Sequence, residues 1–132
     1  MEKIGIIGSG TWGTAIAVLL VNNGHEVTLW SAIPAEIEEM AKTRTHKNLP
    51  GVTLPEGLVY TADLEKAMAD KDLLVMAVPS VFVRSTAQKM KPFCKDGQLI
   101  VDVAKGIEEN TLDTMTQIIK EELPMAETAV LS

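Results

Sequence analysis

Lys3-Ile4-Gly5-Ile6-Ile7-Gly8-Ser9-Gly10-Thr11-Trp12-Gly13 decides the fold. A short β-branched apolar run that ends at a glycine reads as a strand buried on both faces. The glycines that follow match G-x-G-x-x-G, and residues 14–21 are helix formers stopped by Asn22-Asn23-Gly24. A second apolar run, Val27-Thr28-Leu29-Trp30, comes next. Strand, glycine turn, helix and strand in that order lift the motif above chance, because they place the turn at a helix N-terminus. Gly8 then permits the tight turn, Gly10 lets backbone amides approach a diphosphate, and Gly13 lets helix and strand pack closely. A glycine-rich turn that binds nothing is the alternative.

Outward from this unit the same alternation continues. Pro34 opens a helix whose inner face is expected at Ile37, Met40 and Ala41. Residues 45–58, with Pro50, Gly51, Pro55 and Gly57, read as a long surface loop before a weak strand at 59–61. A short helix over 63–70, a strand over 73–78, a helix capped by Ser80 and running to about Met90, a strand over 99–103, a helix over 111–123 and a strand over 129–132 complete the pattern. Six nearly all-apolar strands alternating with helices predict an α/β fold: a doubly wound parallel sheet of about six strands, the Rossmann-type dinucleotide-binding architecture, as one domain over 1–132.

Composition narrows the function. Apolar residues make up 46% of the 132, charged residues 23% and aromatic residues 4%, which suits a folded α/β chain and not a disordered one. A net charge of −6 argues against a nucleic-acid surface. No stretch approaches the roughly 18 apolar residues of a membrane span, and the N-terminus shows no secretory cleavage pattern, so a cytoplasmic location is expected. The single cysteine, Cys94, and two histidines, His25 and His46, offer no internal disulfide and no zinc-like cluster, so no metal is expected.

Candidate ligand-facing residues lie where the strands end, since ligands of such sheets sit outside their carboxyl ends. Beyond Gly8, Ser9, Gly10, Thr11, Trp12 and Gly13 these are Pro79 and Phe82 after the fourth strand and Lys105 after the fifth, where an ammonium suits an anion. Ser31 offers a hydroxyl at the end of the second strand, or helps cap the helix after it. That strand end carries neither the carboxylate that takes a ribose diol nor the arginine that takes a 2′-phosphate: Ser31, Ala32 and Ile33 follow Trp30, and Glu36 is already inside the next helix. The choice between NAD and NADP stays open. His46 is expected to face water in a polar loop, His25 to be structural, and Cys94 to be packing.

Five ordered segments resemble the soluble bacterial NAD(P)-dependent glycerol-3-phosphate dehydrogenases: residues 8–15, residues 23–30, Asn48-Leu49-Pro50-Gly51, Val78-Pro79-Ser80 and Ala104-Lys105-Gly106. The resemblance covers the whole chain. It implies hydride transfer between NAD(P)H and dihydroxyacetone phosphate, giving sn-glycerol 3-phosphate for phospholipid synthesis, by a cytoplasmic homodimer. It also implies that Thr11 and Trp12 lie on the cofactor diphosphate, Ala32 near the adenosine ribose, Phe82 beside the cofactor, and Lys105 against both nicotinamide and substrate. Ala32 stands where bacterial members carry a basic residue. The family continues into an all-helical domain with the lysine proton acceptor and phosphate-binding residues, absent from this chain, so no catalytic group is assigned here. Other readings are a 6-phosphogluconate or ketopantoate type of dehydrogenase, or a non-catalytic nucleotide-binding sensor.

Overall fold

The computed structural model describes residues 1–109 and 111–131. Its element order is β1 (Lys3–Ile7), α1 (Thr11–Asn22), β2 (Glu26–Trp30), α2 (Pro34–Thr43), β3 (Val59–Thr61), α3 (Leu64–Met68), β4 (Leu73–Met76), α4 (Val83–Met90), β5 (Leu99–Asp102), α5 (Met115–Glu122) and β6 (Glu127–Val130). Among the described residues these strands form one six-stranded sheet, ordered β3-β2-β1-β4-β5-β6, with every pair parallel. The expected doubly wound parallel sheet is therefore the observed one.

Alternation along the strands divides the core in two. Ile4, Ile6, Leu29 and Val75 pack with Ala17, Ile37 and Met40 under α1 and α2. Ile7, Trp30, Leu74 and Met76 pack with Met90, Ile118 and Ile119 under α4 and α5. Each fully buried Ile or Leu contributes about 1.5–3 kcal/mol, and both sheet faces draw on that term. The order reverses between β1 and β4, whose registers pair Ile4 with Leu73 and Ile7 with Met76. A crevice for a ligand opens at such a reversal, beyond the carboxyl ends of the strands.

Several boundaries differ from expectation. Helix α1 starts at Thr11, because the Thr14 amide already donates to the Gly10 carbonyl at 2.9 Å. Ala41 is exposed, so the buried stripe of α2 is Ile37 and Met40 alone. Strand β4 ends at Met76, although the Ala77 amide still reaches the Ile7 carbonyl at 2.8 Å. Ser80 is no helix cap: it begins a 3-10 turn, Ser80–Phe82, from which α4 follows. The last helix begins at Met115, where Thr114 and Gln117 cap each other reciprocally. Strand β6 begins two residues earlier than expected, and Ser132 lies outside the described residues, as does Asn110.

The segment before α5 is pinned from the side. Arg84 of α4 donates to Glu108 at 2.9 Å, to Glu121 at 3.0 Å and to Glu122 at 2.7 Å, with Asp113 at 3.4 Å. Glu108 and Glu122 raise the guanidinium pKa above its ordinary value, and Arg84 in turn lowers that of Glu108. Nothing in the local sequence pattern announces this cluster.

Candidate dinucleotide site

The glycine turn is shaped by two close approaches and one open space. Gly8 has φ +127°, and a Cβ there would stand 2.6 Å from the Ala77 carbonyl carbon. A Cβ on Gly13 would strike the Gly8 carbonyl oxygen and lie 3.2 Å from the Ala77 Cβ. These two glycines thus let β1, α1 and the end of β4 meet. Gly10 differs: it has φ −66°, which any residue adopts, and its Cβ would meet nothing within 4 Å. No internal contact requires a glycine there. What it leaves clear is the space over the N-terminus of α1, an end with no side-chain cap and no acidic residue in its first turn. Amides at such an end attract an anion through hydrogen bonds and the helix dipole, the dipole alone giving about 0.3–1 kcal/mol.

Ser9 holds the turn in place. Its carbonyl accepts from Thr14 Oγ1 and from His46 Nε2, both at 3.0 Å. A carbonyl oxygen only accepts, so Nε2 is the protonated nitrogen of His46 and Nδ1 receives the Asn48 amide at 3.1 Å. His46 is 7% exposed. The expectation that it faces water is overturned, because the loop folds back over α2 with Leu54 and Leu58 buried. The buried Ser9 hydroxyl points towards α2, 3.4 Å from Glu36 Oε1. Local pattern reading missed both partners, since each contact joins positions far apart in the chain.

The other candidate residues line the ends of neighbouring strands. Trp12, 65% exposed, and Phe82, 55% exposed, present large apolar faces to solvent in the first turn of α1 and after β4. Ala32 and Pro79 are exposed, and Ser31 accepts from the Ile33 amide at 3.1 Å without capping α2. Lys105 is exposed beside a 220 Å³ hollow shared with Gly106, the start of α5 and the end of β6. Behind it Asp102, 1% exposed, accepts from the Ala104 amide at 2.9 Å and from Thr116 Oγ1 at 3.1 Å, bracing the backbone that carries Lys105. His25 Nδ1 accepts the Glu2 amide at 3.1 Å, and burial pushes the Cys94 thiol pKa up, as befits structural residues.

Residues 3–132 match the family model described as NAD-dependent glycerol-3-phosphate dehydrogenase N-terminus. The chain belongs to this family. It is 52% identical to the glycerol-3-phosphate dehydrogenase [NAD(P)+] of Agathobacter rectalis over 99% of its own length and 39% of that protein's. It is 54% identical to the second such enzyme of Lactobacillus delbrueckii subsp. bulgaricus, over 93% of itself and 36% of the relative. The crystal structure of glycerol-3-phosphate dehydrogenase from Coxiella burnetii superposes with a TM-score of 0.90 at 28% identity, over 98% of this chain and 40% of that one. The chain thus spans about two fifths of the length of these relatives. Within the dehydrogenase N-terminal family, the open space over Gly10 fits the dinucleotide in the family's description.

Burial pushes the Asp102 pKa above the ordinary aspartate value of 3.8, against the lowering by its bonds from Ala104 and Thr116. The unfolded residue ionises first as pH rises. Its stabilising contribution is therefore full below 3.8 and lost as pH climbs through the raised folded value. Asp102→Asn keeps the acceptor for Ala104 and removes the buried charge. Urea denaturation from pH 4 to pH 7 should show a stability curve that declines less than that of the unaltered chain. An unchanged slope would mean that Asp102 does not titrate across folding.

Proposed function

We propose that this chain is the cofactor-binding part of a cytoplasmic, homodimeric glycerol-3-phosphate dehydrogenase acting on dihydroxyacetone phosphate and serving phospholipid synthesis. The single observation that supports it most is the cleared, uncapped α1 terminus at Gly10 in a chain whose residues 3–132 match the family. The amides of residues 10–13 hold the diphosphate, each charge-assisted hydrogen bond adding about 1.5–3 kcal/mol. Trp12 and Phe82 shield the cofactor from water, Ala32 sits at its ribose, and Lys105 supplies positive charge where the nicotinamide and substrate meet. When bound, NADH or NADPH supplies hydride to the carbonyl carbon while a proton joins the oxygen. We assign that proton to the remainder of the relatives' length, of which this chain spans about two fifths, because general acid catalysis needs a group within hydrogen-bond reach of the substrate oxygen.

Two measurements on the 132-residue chain test this. Calorimetric titration should show saturable one-to-one binding of NADH or NADPH, and steady oxidation of NADH by dihydroxyacetone phosphate should be absent. No binding of either cofactor sinks the reading, and sustained turnover sinks the assignment of proton transfer to a further domain.

A further inference from the structure

We propose that Glu36 selects the cofactor, accepting a free adenosine ribose and repelling one that carries a 2′-phosphate. The proposal rests on the dinucleotide reading above and names a residue that lies neither in the glycine turn nor at the end of β2. A ribose diol in this architecture needs an acceptor near the end of the second strand. Ala32 has no polar group, and the Ser31 hydroxyl already accepts from the Ile33 amide, which leaves it one acceptor lone pair against the several of a carboxylate. Glu36, in the first turn of α2, turns back instead, with Oε1 3.4 Å from Ser9 Oγ. The contact is long for a hydrogen bond, so it establishes direction more than strength. Direction is what the proposal needs, because Ser9 adjoins Gly10 and its carbonyl is held by Thr14 and His46. The carboxylate therefore faces the glycine turn from the β2 side. One hydroxyl contact leaves most of its acceptor capacity for two ribose hydroxyls.

The charge around it points the same way. Glu36 and Glu39 line a 290 Å³ hollow between α2 and the following loop, where Lys47 is the single cation among the lining residues. Arg44, next to this segment, donates to the Leu54 carbonyl at 3.0 Å and pairs with Glu56 at 3.6 Å. A 2′-phosphate beside Glu36 would face its carboxylate, and Glu39 and Lys47 are the other charged residues of the hollow that Glu36 lines.

The test is calorimetric titration of the unaltered chain, Glu36→Gln and Glu36→Ala with NADH and with NADPH, circular dichroism confirming the fold. The unaltered chain should bind NADH about tenfold more tightly than NADPH, and either variant should shrink that ratio about tenfold, chiefly by tighter NADPH binding. Raising salt on the unaltered chain should also narrow the ratio, a readout independent of any variant's folding. A preference for NADPH in the unaltered chain, or a ratio unmoved by both variants and by salt, overturns the role of Glu36 while leaving the dinucleotide reading intact. If neither cofactor binds the unaltered chain, both fall.

Discussion

Gly10→Val should leave the chain folded and lower its affinity for NADH by a factor of about one hundred or more. Folding survives because φ −66° suits valine and because the new Cβ would meet nothing within 4 Å. The cost to the fold is confined to a poorer residue ahead of α1, about 1 kcal/mol. Affinity does not survive, because the branched side chain fills the space through which a diphosphate reaches the first-turn amides. Losing two charge-assisted hydrogen bonds of about 1.5–3 kcal/mol each accounts for the factor. Circular dichroism should overlay with that of the unaltered chain while calorimetric heats vanish. A folded variant with undiminished affinity would remove the α1 terminus from the binding site.

Gly13→Ala should have the opposite outcome, a loss of about 3–5 kcal/mol in unfolding free energy. Its Cβ would overlap the Gly8 carbonyl oxygen and press on Ala77, both held by the sheet. Overpacking typically costs about 1–3 kcal/mol, and here relief requires prising α1 from β1 and β4 together. Gly8→Ala adds a residue strained at φ +127° to a similar overlap, so it should be at least as damaging. Against the roughly 5–15 kcal/mol of a typical domain, either change brings the chain close to unfolding. Urea midpoints decide the matter: a loss below about 1 kcal/mol would show that α1 can shift at little cost. One motif therefore holds glycines of two kinds, and a single pair of measurements separates them.

Legibility in the sequence followed the range of the interactions. Strands β1 and β2 are readable because both of their faces are buried, which leaves a nearly continuous apolar run broken in β2 by the buried Thr28, and the glycine turn because its spacing is local. The start of α5 is also written locally, as Thr114 and Gln117 three residues apart, inside the span expected from residue 111. Ala41 misled because an apolar residue four positions after Ile37 meets the helical spacing, yet the loop does not extend over it. His46 and Glu36 were beyond reach for another reason: their significance comes from Ser9, 37 and 27 residues away. Periodicity detects which face of an element is buried; it carries no information about which distant polar atom completes it. Asp102 lay in plain sight as a carboxylate in an apolar strand, and only the structure supplied Thr116 as its partner.

The seam between β1 and β4 also sets the order in which the molecule can assemble. Lys3 and Asp72, bonded across it at 2.8 Å, are 69 residues apart, whereas β1 and β2 are joined through a single helix. Contacts that close long loops form late, so the first strands and α1 can associate well before β4 arrives. Ala77, against which Gly8 and Gly13 rest, belongs to that late segment. A nascent chain emerging from the ribosome therefore carries the complete glycine motif through the synthesis of the 64 residues from Thr14 to Ala77 before the motif acquires its floor. The turn takes its shape in a late step of folding, and a chain interrupted before Ala77 has the signature without the shape.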